Sequence, residues 1–117
     1  MIETIMLDFL SATLPVPVCM EVPEKAPPSF VLLEKTGSGH ANKVNTATCA
    51  VQSYAETLLA AAELNEAVKQ AMEDFTALDA VCKTSLNSDY NYTDTAQKRY
   101  RYQAVYDVTY YEQRSKT

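Results

Sequence analysis

The sequence predicts an α+β domain with a mainly antiparallel five-stranded sheet, helices packed on one face and the element order α-β-β-β-α-β-β. Three observations predict this fold: two segments with apolar residues at helical spacing, five segments with strand-like alternation, and a helix between two runs of strands. The 117 residues suit one domain spanning the whole chain, 1–117. No apolar run reaches the ~20 residues that a bilayer-spanning helix needs.

The first helix is predicted at residues 2–13, where apolar residues recur every three or four positions. Pro15 and Pro17 end this helix, because proline excludes the helical conformation from the residue before it. Strand alternation follows over residues 16–22, and a second apolar strand follows over residues 30–35. A proline inside the first strand favours a position at the edge of the sheet.

Residues 36–43 are the most polar part of the first half and hold both glycines of the chain. This composition predicts a mobile hairpin loop, with residues 37–43 projecting from the domain. Strand character resumes over residues 44–54, which makes the third strand.

The second helix is predicted to start at Ser53 and Glu56, which have the Ser-x-x-Glu spacing of a capping box, and to run to Phe75. Its apolar stripe would face the sheet and its acidic side would face water. A polar strand over residues 81–92 and a long final strand over residues 98–111 complete the sheet.

The sequence carries no pattern that a catalytic or cofactor-binding site requires, so we expect no enzyme activity, no metal and no cofactor. His40 is the only histidine, which excludes a pair of histidine ligands for zinc. The glycine segment lacks the residues of a P-loop or a dinucleotide fingerprint. The three cysteines fit neither a disulfide framework nor a zinc knuckle, so we interpret them as reduced apolar residues. A hydrolase that uses His40 is a distant hypothesis.

Basic and aromatic residues near the C-terminus form the one arrangement that is typical of nucleic-acid binding. Strand alternation places the tyrosines of the final strand on one face and its arginines on the other. This favours tyrosines that pack in the core and a basic edge that faces solvent or a neighbouring subunit. The net charge of −5 also argues against nucleic acid as the default partner. A single-strand nucleic-acid-binding module therefore stays an alternative. The candidate interface residues are Tyr90, Tyr92, Arg99 and Arg101.

Seven of the eight tyrosines follow residue 89. Tyrosine is enriched in protein–protein contacts because it supplies a large contact area and a hydrogen bond at low entropy cost. This distribution favours a subunit of an assembly over an enzyme.

Five segments carry a resemblance to a known family, and they are Val16–Glu24 (VPVCMEVPE), Phe30–Gly39 (FVLLEKTGSG), Asn45–Tyr54 (NTATCAVQSY), Ala61–Ala71 (AAELNEAVKQA) and Leu86–Tyr106 (LNSDYNYTDTAQKRYRYQAVY). Together they resemble a small protein of tailed phages and of prophages of Gram-positive bacteria. The resemblance is greatest to the tail terminator, or tail-completion, family of long-tailed phages.

This resemblance implies a subunit of a hexameric ring that caps the tail tube and stops polymerisation of the tube protein. The ring would also dock to a head-completion or connector protein, and DNA would pass through it without specific binding. No membrane partner is implied. The implied location is the host cytoplasm during assembly and then the head–tail junction of the virion. Another head–tail joining or head-closure ring is the alternative.

The resemblance also implies that the projecting loop contacts neighbouring subunits or the tube through Gly37, Ser38, Gly39, His40, Asn42 and Lys43. As a further hypothesis, the acidic second helix lines the DNA-conducting lumen with Glu56, Glu63 and Glu66. Residues 112–117 are expected to form a flexible tail.

Overall fold

The computed structural model describes residues 1–41, 43–75, 77–78, 81–94, 96 and 99–111. Its elements are the helices α1 (Ile2–Thr13) and α2 (Leu58–Phe75) and the strands β1 (Val18–Cys19), β2 (Phe30–Ala41), β3 (Val44–Ala55), β4 (Val81–Asn91) and β5 (Tyr100–Tyr111). The predicted α+β class, with two helices and five strands, is confirmed. Neither of these helices is long and apolar enough to cross a membrane.

All five strands form one mixed sheet in the spatial order β1-β2-β3-β5-β4. β1 runs parallel to β2, pairing Val18 with Val31, whereas the other neighbouring strands are antiparallel. The prediction of a mainly antiparallel sheet is therefore wrong, and the spatial order also differs from the order along the chain. The connection of residues 20–29 is long enough to return the chain to the end of the sheet at which β1 starts, so β2 can run in the same direction as β1. A tight hairpin would have made the two strands antiparallel.

The first strand is much shorter than the predicted span of 16–22, since only Val18 and Cys19 belong to β1. The carbonyl of Pro17 still accepts a hydrogen bond from the backbone N–H of Val31 at 2.9 Å. Proline has no N–H to continue the ladder, and β1 lies at the edge of the sheet as the proline predicted.

Both helices pack on one face of the sheet, where their apolar stripes meet alternate residues of the strands. The rings of Phe9 in α1 and Phe75 in α2 lie 5.3 Å apart and join the two helices. The predicted stripe of α2 is confirmed, with the buried residues Ala61, Leu64, Val68, Ala71, Met72 and Phe75. We call the opposite side of the sheet the helix-free face.

The predicted capping box is wrong, because α2 begins at Leu58 and Ser53 lies within β3. Pairing with β5 continues as far as Ala55 and keeps this stretch extended. The helix is capped instead by Thr57, whose Oγ1 accepts a hydrogen bond from the backbone N–H of Ala60 at 3.1 Å. Glu56 therefore lies in the connection before α2 and not on the helix.

The predicted loop at 37–43 is also wrong for most of its length, because β2 continues through Ala41. Ala41 pairs with Val44, so the two strands stay paired to the end of the hairpin. Lys43 lies in the turn with a φ of 64°, and Asn42 lies outside the described residues. The polar composition of this segment was misleading, since pairing with the threonine-rich start of β3 is compatible with a polar strand. The predicted tail at 112–117 also lies outside the described residues.

Candidate functional site

The outer edge of β2 is the first candidate surface. β1 pairs only with Val31 and Leu32, so no described strand lies beside β2 from Leu33 to Ala41. We call this stretch, Leu33–Ala41, the hairpin edge. From Glu34 onward the side chains of β2 are exposed to solvent.

The register with β3 identifies which backbone groups of the hairpin edge face outward. The N–H of Val31 faces β1, and backbone groups alternate along a strand, so every second residue faces the same way. A bulge between Lys35 and Gly37 inserts one residue and shifts this alternation. The residues whose N–H and C=O groups face outward are Leu33, Lys35, Ser38 and His40.

The glycines keep one side of the hairpin flat. Gly37 and Gly39 pair with Thr48 and Thr46 and lie on the helix-free face. A Cβ at Gly39 would come within 2.8 Å of Thr46 Oγ1, whereas a Cβ at Gly37 would meet nothing closer than 3.9 Å. Gly39 therefore permits a close cross-strand contact that a larger residue would disturb.

His40 lies in the hairpin formed by β2 and β3. Its Nδ1 lies 2.6 Å from Oδ1 of Asn45, its cross-strand partner, and both side chains are at the exposed end of the sheet. None of the described His, Cys, Asp and Glu side chains form a group of three that could hold a metal ion.

The second candidate surface lies at the other end of β3, on the helix-free face, and centres on Arg101. Its Nε donates to the carbonyl of Tyr92 at 2.6 Å, and its Nη1 donates to the hydroxyl of Tyr54 at 2.8 Å. The guanidinium carbon also lies 4.4 Å from the ring centre of Tyr92 and 5.6 Å from that of Tyr54. These contacts fix the orientation of the arginine through both hydrogen bonds and cation–π interactions.

A chain of side-chain hydrogen bonds supports this centre. The Tyr54 hydroxyl donates to Gln52 Oε1 at 2.9 Å, and Gln52 Nε2 donates to Gln103 Oε1 at 2.7 Å. Gln103 Nε2 in turn donates to the Tyr90 hydroxyl. The two glutamines are buried, so the network satisfies amide groups that would otherwise be costly to remove from water.

Tyr90 and Tyr92 form the exposed part of this surface. Their ring centres lie 5.8 Å apart in an edge-to-face arrangement, and the side chains are 40% and 44% exposed. The structure therefore brings together three of the predicted interface residues, Tyr90, Tyr92 and Arg101.

Arg99 joins the same surface through an aromatic stack. Phe30 and Tyr54 stack with their ring centres 4.5 Å apart, and the Arg99 guanidinium lies 5.3 Å from the ring centre of Phe30. We call Tyr54, Tyr90, Tyr92, Arg99 and Arg101 the arginine–tyrosine surface. Sequence reasoning missed Tyr54 as part of this surface and Phe30 as the ring that supports it, because their contacts depend on the pairing of distant strands.

The predicted separation of tyrosines and arginines in the last strand is confirmed. Tyr106 is 4% exposed and belongs to the core under the helices, whereas Arg101 points to the helix-free face. Burial raises the pKa of Tyr106 to about 12. Tyr106 therefore contributes to packing, and the partly buried Tyr110 packs against the same core.

The predicted acidic residues of α2 occupy its exposed side. Glu63 and Glu66 both face solvent, and Glu66 forms an ion pair with Lys69 at 2.7 Å. Lys69 also donates a hydrogen bond to Asp89 of β4 at 2.6 Å. The hydrogen bond to Asp89, and after it the one to Glu66, raise the pKa of Lys69. Asp89 accepts a second bond at 2.6 Å, from Nδ2 of the buried Asn65.

The two described thiols are poor nucleophiles. Cys49 is buried in the core, and burial raises its pKa to about 11. Burial also raises the pKa of the half-buried Cys19. Thiolate is the reactive form of cysteine, so neither side chain is prepared for covalent chemistry at neutral pH.

The two surfaces lie far apart on the same sheet. Gly39 pairs with Thr46 and Arg101 pairs with Tyr54, and eight residues of extended β3 separate these positions by roughly 25 Å. Each surface can therefore contact a different neighbour. Comparison of the chain with protein-family models and with curated proteins gives no match in either case.

Proposed function

We propose that the protein is a structural subunit of a phage assembly ring, a tail terminator that caps the tail tube and joins the tail to the head. The hairpin edge is the observation that carries this proposal. An exposed strand edge with free N–H and C=O groups is a template for pairing with another chain. The resemblance of five sequence segments to tail terminator proteins supplies the identity of the assembly.

The two edges of the sheet differ in a way that suits a ring. β4, at the far edge, carries bulges between Val81 and Lys83 and between Leu86 and Ser88, which interrupt regular pairing. The hairpin edge has one bulge and an uninterrupted stretch from Gly37 to Ala41. A subunit with unlike contact surfaces forms head-to-tail contacts, and such contacts produce a ring when the rotation between neighbouring subunits closes.

In this proposal the hairpin contacts a neighbouring subunit or the tube, and the arginine–tyrosine surface contacts another protein of the junction. Glu63 and Glu66 line the lumen, where their charge keeps passing DNA from adhering. The ring is a hexamer that assembles in the host cytoplasm and remains at the head–tail junction of the virion. The protein has no enzymatic role.

Deletion of the gene from the source phage, followed by electron microscopy of the lysate, tests the role directly. We expect abnormally long tails beside filled heads that lack tails. Tails of normal length that fail to attach to heads would instead assign the protein to another head–tail joining ring. Intact virions would refute the assembly function.

The substitution Ser38→Pro tests the hairpin edge itself. The N–H of Ser38 faces outward, so proline removes a donor to a partner strand without removing a bond to β3. We expect a folded subunit with a near wild-type Tm that fails to complement the deletion. Ser38→Ala keeps the N–H and is expected to complement. Full complementation by the proline variant would show that strand addition at this edge is not required.

A further inference from the structure

A narrow cleft of about 90 Å³ lies on the helix-free face between the two arginines of the arginine–tyrosine surface. It is lined by Val22, Tyr54, Asp94, Arg99 and Arg101. Its volume is sufficient for one small polar group and not for an extended ligand. Arg99 also borders a wider depression of about 410 Å³.

Both guanidinium groups have unused donors. A guanidinium carries five N–H donors, and Arg101 uses two of them, on Tyr92 and Tyr54. Arg99 has only its contact with the ring of Phe30, as far as the described residues show. Among those residues the ion pairs all involve lysines, so neither arginine has a carboxylate partner.

We propose that this cleft binds a carboxylate from a partner protein, supplied by an acidic side chain. Both arginines line the cleft, and the planar fork of a guanidinium matches the bidentate geometry of a carboxylate. The rings of Phe30, Tyr54 and Tyr92 already hold them in place, so little side-chain freedom is lost when the carboxylate binds. The exposed tyrosines beside the cleft supply contact area around this charged centre.

Three features favour a protein carboxylate over the phosphates of a nucleic acid. Asp94 lines the cleft and repels every anion, a chain of phosphates more strongly than a single carboxylate, and its Oδ1 accepts a hydrogen bond from the N–H of Ala96 at 3.0 Å. Tyr90 and Tyr92 pack edge to face, which does not present two parallel rings for stacked bases. The net charge of −5 also repels a long polyanion.

This inference deepens the proposed function, because the carboxylate would belong to an assembly partner, and it rests on that function only for the partner's identity. Carboxylate binding requires no ring and is measured on the isolated chain. A failed binding test would therefore refute carboxylate binding without refuting the assembly function. Intact virions after gene deletion would refute the assembly function without refuting carboxylate binding.

The test is NMR titration of the arginine Nε–H signals of the full chain with glutarate and with a capped alanine peptide that carries one central glutamate. We expect the Arg99 and Arg101 signals to shift with both probes and not with the same peptide carrying glutamine. Arg99→Gln should weaken binding about tenfold, since a hydrogen bond to a charged group is lost. Lys83→Gln removes one positive charge at an exposed position of β4 far from the cleft and should leave binding unchanged.

A second variant is expected to bind glutarate more tightly, and a misfolded protein would not produce such a gain. Asp94→Asn removes the repelling charge and keeps the oxygen that accepts from Ala96. We expect this variant to bind glutarate roughly two- to fivefold more tightly, the range of an exposed charge pair. Absence of any shift with glutarate and the glutamate peptide would refute the proposal. Tighter, Arg99-dependent binding of oligo-thymidylate or of inorganic phosphate at equal ionic strength would also overturn it.

Discussion

Burial of the Tyr106 side chain makes the stability of the fold depend on pH. Its ring belongs to the core, and its side chain lines a pocket of about 370 Å³ between α2 and the sheet. Burial disfavours the phenolate and raises the pKa to about 12. A group whose pKa is raised on folding stabilises the fold fully below its ordinary pKa, and this stabilisation is lost as pH rises towards the raised value.

We predict that the free energy of unfolding falls between pH 10 and 12 and that Tyr106→Phe flattens this part of the profile. The fall due to Tyr106 is at most about 3 kcal/mol over this whole range, since one pKa unit corresponds to about 1.4 kcal/mol. Cys49 contributes an earlier fall from pH 9, because its pKa is raised to about 11. Urea unfolding at pH 7, 9, 10 and 11 measures both effects. Parallel profiles of the wild type and Tyr106→Phe above pH 10 would contradict this assignment.

At this scale the sequence predicted the residue types of the arginine–tyrosine surface, and it placed the tyrosines and arginines of the final strand on opposite faces. Alternation along one strand is a local property, and the pattern therefore indicated it correctly. The partners of Arg99 and Arg101 are not local: Phe30 and Tyr54 are brought to them by pairing among β2, β3 and β5. No spacing in the sequence contains that information.

The β2–β3 hairpin is strained at its turn. Lys43 has a φ of 64°, a left-handed conformation that costs a residue with a Cβ about 1 kcal/mol relative to glycine. Lys43→Gly should therefore raise the free energy of unfolding by about 1 kcal/mol, provided the turn is retained. Thermal unfolding measures the gain. Lys43→Ala loses the same side-chain charge but keeps the Cβ, so it should show no such gain.

The docking of α2 on β4 depends on Asp89. Its carboxylate accepts from Asn65 and from Lys69, both at 2.6 Å, and Asn65 is buried. Asp89→Ala would leave the Asn65 amide without its acceptor, which we expect to cost about 2 kcal/mol. Glu66→Ala removes the other partner of Lys69 at an exposed position and should cost less than about 0.5 kcal/mol. Equal losses in urea unfolding would contradict this explanation.

The predicted elements differ from the observed ones where local signals competed with strand pairing. The Ser-x-x-Glu signal at Ser53 was overridden because β3 and β5 pair as far as Ala55. The glycine segment was predicted as a loop because it is polar, yet its partners in β3 keep it extended. The stripe of α2 was predicted correctly because helical spacing and burial agree along one continuous segment.

Unlike surfaces at two places on the molecule imply a specific behaviour of mixed assemblies. In the proposed head-to-tail ring, a subunit with a blocked hairpin edge keeps its opposite contact surface, so we expect it to join a growing ring without extending it. Co-expression of Ser38→Pro with the wild type should therefore reduce assembly more than dilution alone does. Phage yield at a series of expression ratios measures this effect. Simple dilution by the variant would indicate a symmetric contact in which both partners use the hairpin edge.

Because backbone N–H groups alternate in direction along the hairpin edge, amide hydrogen exchange can show whether another strand is paired with this edge. In the isolated chain, amides of Glu34, Gly37, Gly39 and Ala41 are bonded to β3 and should exchange slowly with deuterium. Those of Lys35, Ser38 and His40 point away from β3 at exposed positions and should exchange fast. When another strand occupies the edge, the second set becomes slow as well. The sites protected in an assembled particle would thus reveal the length of the added strand, residue by residue.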